Sequence, residues 1–184
     1  MEIAAIRILK PNVSRKDAIG VFSSRGFANR VWQMRNGPLQ RIADAYVPCW
    51  IYGVCYGLGR TTQTRFFALD AVEGSLDLLE FPQPPGPQEF LSIETRNFLR
   101  PSLAEVRAEE LLREKVLRVI FQQGFFKLPE RGLAVVREPL ELHLPYWLGL
   151  YGARGVVRCR VMDAVRRRVE GAKASALFEQ WLAA

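Results

Sequence analysis

The residues best suited to chemistry in this 184-residue chain are arginines. Arg154, Arg158, Arg160, Arg166, Arg167, Arg168 and Lys173 crowd into one short stretch. On a strand, Arg158 and Arg160 share a face opposite Val157, Cys159 and Val161, because alternate residues point the same way. Such a face suits a polyanion: its guanidinium groups neutralise phosphates and release counterions without reading bases. The plainer alternative is a solvated face and turn, since charged runs are mostly surface. A second group is aromatic. Trp50, Tyr52 and Tyr56 fall on one side of a regular strand, and Trp147 occupies a setting like that of Trp50. An aromatic platform stacks on bases, prolines or sugars. Two tryptophans in matched settings serve equally well as core anchors, and tryptophan is largely buried on average.

Catalytic signals are weak. Asp70 and Asp163 each precede Ala-Val, and aspartate in such a place opens a turn by accepting backbone N–H groups. On that reading, removing either costs about 0.5–2 kcal/mol, as losing a helix cap does. They act as a pair of acids, with His143, only if the fold brings the three together in a cleft between repeats. One histidine and the cysteines Cys49, Cys55 and Cys159 make poor material for zinc, a disulfide framework or a nucleophile motif. Gly57-Leu58-Gly59-Arg60 lacks the lysine, hydroxyl residue and following helix of a phosphate loop. No metal or cofactor is expected.

The elements that position these residues are written twice. Ile8-Leu9-Lys10-Pro11 returns as Phe98-Leu99-Arg100-Pro101, Pro48-Cys49-Trp50 as Pro145-Tyr146-Trp147, and Asp70-Ala71-Val72 as Asp163-Ala164-Val165. Matched anchors in one order mark a structural unit used more than once. Each copy reads as a short strand, a proline break, a helix and a meander. Ser14 with Asp17, and Ser102 with Glu105, have capping-box spacing. In the second copy Leu103, Val106, Leu111, Leu112, Val116, Val119 and Ile120 recur at near-helical intervals. In the first, Ser23-Ser24-Arg25-Gly26 interrupts the helix. Strands run over 39–47 and 133–144 into the two Pro-x-Trp anchors, then beyond them. A proline-rich stretch follows the first copy, and proline holds a chain extended.

The expected architecture is therefore α+β: two tandem homologous units, 1–81 and 91–184, joined by a linker over 82–90. Each unit is a helix packed on an antiparallel three- to four-stranded sheet, and a C-terminal helix closes the second. Hydrophobic residues are 49% and charged residues 24%, which excludes a disordered chain. No apolar run reaches the roughly 20 residues of a membrane span. No basic segment precedes a long apolar stretch at the N-terminus, so the cytoplasm is the expected compartment. The net charge is +7, which favours an anionic partner.

Asp70-Ala71-Val72-Glu73-Gly74, at the end of a strand in a helix-on-sheet unit, resembles the PepSY-type modules. In the second copy Arg167 replaces the glycine. The resemblance implies a non-catalytic module that binds or regulates another protein, and supplies no catalytic residues. The expected function is thus binding, with a protein as partner. Nucleic-acid binding by the second copy's basic face is one alternative, and an enzyme with a site between the repeats is the other.

Overall fold

The computed structural model describes residues 3–58, 61–122, 133–153 and 156–184. In chain order the elements are β1 (Ala4–Leu9), α1 (Arg15–Ser23), α2 (Phe27–Asn36), β2 (Leu39–Leu58), β3 (Thr61–Asp70), β4 (Leu79–Phe81) and β5 (Phe90–Thr95). They continue with α3 (Glu105–Gln122), β6 (Leu133–Ala153), β7 (Val156–Asp163), β8 (Arg168–Val169) and α4 (Ala172–Ala183).

The class is α+β, but the sheet is larger than two separate three- to four-stranded ones. All eight strands join one mixed sheet, with order β4-β3-β2-β6-β1-β5, β7 pairing with β6, and β8 with β7. The reason lies at the prolines. Pro48 and Pro145 have no N–H to give a ladder, so each reads as a strand end. Their carbonyls nevertheless accept the N–H groups of Ala71 (2.8 Å) and Ala164 (3.1 Å). β2 and β6 therefore run through their anchors as strands of 20 and 21 residues, well beyond the usual five or six or so.

The chain forms two compact units. Unit 1 comprises Met1–Val47, Leu91–Leu99 and His143–Ala184; unit 2 comprises Pro48–Phe90 and Arg100–Leu142. Each draws on residues from both 1–81 and 91–184. The proline-rich stretch 82–90 lies within unit 2, where Pro85 is buried and Pro87–Glu89 forms a 3-10 turn.

In unit 2 the antiparallel pair β2–β3 receives α3. Ala108, Leu112, Val116 and Ile120, four residues apart, make the buried stripe and pack with Tyr52, Val54, Tyr56, Phe67 and Leu69. Val106 departs from the expected stripe and is 76% exposed. Nor does Ser102 cap the helix: its hydroxyl donates to the Val72 carbonyl at 2.8 Å, and α3 begins at Glu105. The unit's turn is built on Asp70, which is 2% exposed. Oδ1 accepts the N–H groups of Glu73 (2.9 Å) and Gly74 (2.8 Å), and Oδ2 that of Leu76 (2.8 Å). Gly74 has φ +66°, and a Cβ there would lie 2.6 Å from Leu111 Cδ1. The positive φ favours glycine, and a Cβ would also force the Leu111 side chain to shift.

In unit 1 the antiparallel pair β6–β7 receives α1. Ser14 and Asp17 form the expected capping box. Ala18 and Phe22, both 0% exposed, pack with Val13, Met162 and Ala164. The Phe22 ring lies against the bare backbone of Gly149, where a Cβ would come within 2.9 Å of it. Asp163 makes the matching turn: Oδ1 accepts the N–H groups of Val165 (2.7 Å) and Arg166 (2.8 Å). Arg167 sits at φ +58°, the counterpart of Gly74. On the other flank α4 buries Ala174, Leu177 and Phe178, with Phe178 5.4 Å from the Tyr146 ring. No helix among the described residues is long and apolar enough to cross a membrane.

Candidate binding surface

Polar residues of unit 1 converge where α1 ends and α2 begins. The break at 24–26 separates the two helices, and Asn29 holds them together. It is 4% exposed. Its Nδ2 donates to the carbonyls of Val21 (2.7 Å) and Ser24 (3.1 Å) and to Ser24 Oγ (2.6 Å). Its Oδ1 accepts from Arg160 Nη1, delivered by β7. The Arg160 guanidinium also lies over the Trp32 ring, 5.9 Å from its centroid. Tyr151 meets Trp32 edge-on at 6.0 Å and donates its hydroxyl to the Phe22 carbonyl at 3.0 Å.

Between these groups an open groove of about 670 Å³ is lined by Lys16, Asp17, Gly20, Val21, Asn29 and Arg160, among others. Gly20 presents open space: a Cβ there would meet nothing within 4 Å. The one acid in the lining, Asp17, is turned to Ser14. Its Oδ2 accepts the Ser14 hydroxyl at 2.6 Å and the Ser14 N–H at 3.1 Å. Those bonds hold its carboxyl below the usual aspartate range, with a smaller push from the charge of Arg167. Beside the groove-lining glycines, Ile19 is 43% exposed and Phe27 84% exposed. Met34, seven residues on from Phe27 and so on the same helical face, is 87% exposed.

Charge gathers on the same unit. Unit 1 carries 16 basic residues against 7 acidic ones, a formal +9; unit 2 carries 10 against 12, a formal −2. A division of the chain into 1–81 and 91–184 hides this, since those segments carry +3 and +5. Arg15, Lys16, Arg25, Arg30 and Arg35, all exposed, belong to α1, α2 and their junction. Among the described residues no carboxylate lies within ion-pair distance of any of them.

The second-copy arginines contrast with that set. Arg166 Nε donates to the buried Asp163 at 2.6 Å, and Arg166 and Arg168 both reach Glu170, at 3.3 and 3.0 Å. Arg158 pairs with Glu179 of α4 at 3.1 Å, and Glu179 also accepts the Cys159 N–H at 2.9 Å. Arg167 and Lys173 are exposed. Arg160 alone of the group lines the groove, and Arg154 lies outside the described residues.

Of the aromatic candidates, Tyr52 (0% exposed) and Tyr56 (5%) are core residues of unit 2, not an open platform. The alternation that puts them on one face of β2 also turns that face to α3. Burial pushes the Tyr52 phenol up to about 12. Trp50 packs partly buried against the same core, with the Arg137 guanidinium 4.4 Å from its ring centroid. Trp147 packs against the unit 1 core, and its Nε1 donates to the Val13 carbonyl at 3.0 Å. Asp70 belongs to unit 2, Asp163 and His143 to unit 1. Both aspartates spend their oxygens on turns, and the His143 ring meets Phe98 edge-on at 6.1 Å.

Sequence reading passed over Lys16, Gly20, Asn29, Phe27 and Met34. A signal was present: Phe27, Val31 and Met34 repeat at helical spacing among basic residues, the pattern of an apolar stripe with a cationic border. Comparison with family models, curated proteins and solved structures finds no match to this chain.

Proposed function

We propose that this protein is a non-catalytic binding module and that its partner is an acidic protein segment received on unit 1. One observation carries the reading. The +9 of unit 1 coincides with an open groove lined by Lys16 and Arg160 and with exposed Ile19, Phe27 and Met34 on α1 and α2. Apolar side chains supply contact area, and complementary charge supplies encounter rate and specificity. The buried, bonded settings of Asp70 and Asp163 support structural rather than catalytic roles for them. The engaged arginines of the second copy favour a protein partner over a phosphate backbone tracked along that strand.

The matched turns, and the matched parallel pairings of Ile8 with His143 and Tyr46 with Phe98, support one motif written twice. In that reading the helix of each copy serves the hairpin of the other. The resemblance to PepSY-type modules agrees with a binding role. The test is fluorescence anisotropy with a short amphipathic peptide of glutamate and leucine, beside its glutamine counterpart. The glutamate peptide should bind and weaken as salt rises. Equal affinity for both peptides would overturn the reading, as would tighter binding of a DNA duplex of equal charge.

A further inference from the structure

We infer that the groove between α1 and α2 is the anchor point of that partner, and that it grips one carboxylate side chain between Lys16 and Arg160. The inference rests on the binding role proposed above and adds the place and chemistry of recognition.

Arg160 is prepared for this task. Asn29 Oδ1 takes one N–H of its guanidinium, and the Trp32 ring lies beneath the plane. Asn29 is itself fixed by the Val21 and Ser24 carbonyls. A guanidinium oriented before the partner arrives loses little freedom on binding, and its planar fork matches a carboxylate. Lys16 adds a point charge from α1, within the same lining. Asp17 is committed to Ser14 and so competes little for either cation.

The rest of the lining is small or apolar. Gly20, Val21, Ser24 and Gly26 form it, and exposed Ile19 and Phe27 adjoin the two glycines in sequence. A nucleic-acid backbone needs cations at successive phosphates. A single carboxylate with apolar neighbours needs two cations and apolar ground beside them, as here. Gly20 lines the groove, and a Cβ there would meet nothing within 4 Å.

The decisive variant is Gly20→Leu. It adds bulk at a residue of the groove's lining, changes no charge and replaces glycine by a better helix former. With the glutamate–leucine peptide as probe, Gly20→Leu should weaken binding about tenfold or more while the melting temperature stays level or rises. Lys16→Gln, on an exposed position, should weaken it several-fold. If Gly20→Leu binds the peptide as the parent does, the anchor inference is overturned while the binding role stands. If the parent itself fails to prefer glutamate over glutamine, the binding role falls and takes the inference with it. Circular dichroism confirms folding of each variant, and Arg160→Lys, which keeps the charge but loses the fork, should bind more weakly than the parent.

Discussion

Replacing Asp70 by alanine should cost far more than the loss of an exposed cap. The carboxylate accepts three backbone N–H groups, and those of Gly74 and Leu76 are buried. Alanine leaves all three donors without their acceptor, in a pocket only 2% exposed. A buried donor stripped of its partner costs about 1–3 kcal/mol. Partial relaxation of the turn places the sum at about 3–5 kcal/mol, against about 1 kcal/mol for a typical cap. Asparagine separates shape from chemistry. Its oxygen can keep the bonds to Glu73 and Gly74, while its amide faces the Leu76 N–H, donor against donor. Asp70→Asn should therefore cost about 1.5–3 kcal/mol, near one lost buried bond. Urea unfolding followed by circular dichroism gives both values, provided the slopes agree with the parent's. An Asp70→Ala loss below about 1 kcal/mol, or an asparagine variant as damaged as the alanine one, would refute the reasoning.

Further expectations concern the matched turn, the helices and the thiols. Gly74→Ala should destabilise by about 1–3 kcal/mol through its positive φ and overpacking, whereas Arg167→Gly should be neutral or stabilising by under about 1 kcal/mol; paired urea titrations measure both. Changing Arg25, Arg30 and Arg35 to serine should reduce retention on heparin more than changing Arg166 and Arg168. The latter pair should instead lower the melting temperature, because Arg166 serves the buried Asp163. Native protein treated with iodoacetamide should leave Cys49 and Cys159 unmodified, as read by mass spectrometry. Both are buried, and burial raises each thiol above its ordinary range, Cys159 to about 12, so little thiolate exists at neutral pH.

Local chemistry was legible in the sequence where it acts over a few residues. The Ser14–Asp17 capping box and the Asp70 and Asp163 turns rest on contacts within six residues, and the helix break at 24–26 on the Ser23-Ser24-Arg25-Gly26 run itself. What was hidden depends on distant partners. The Ser102–Glu105 spacing matched a cap, yet a carbonyl thirty residues upstream claims the Ser102 hydroxyl. Pro48 and Pro145 looked like strand ends because a missing N–H is local, while the carbonyl bonds that carry β2 and β6 past them are not. The basic face was legible as a run of arginines, and Asp163 and Glu170 lie within four residues of the arginines they engage, but Glu179 is matched to Arg158 only by β7 and α4. The candidate groove needs Lys16 and Arg160 together, and nothing in their spacing joins them.

The order in which the units are completed has a consequence for synthesis. Unit 2 has all its residues once Leu142 is made, whereas unit 1 waits for His143–Ala184. At ribosomal rates of about 5–20 residues per second, those last 42 residues take about 2–8 s. Until β6 and β7 are made, α1 lacks the hairpin that covers Phe22, so its apolar face is exposed to chaperones and to other nascent chains. A fragment ending near residue 81 would stay in that state permanently. The first half of this gene, expressed alone, should be captured by chaperones or aggregate instead of yielding a domain.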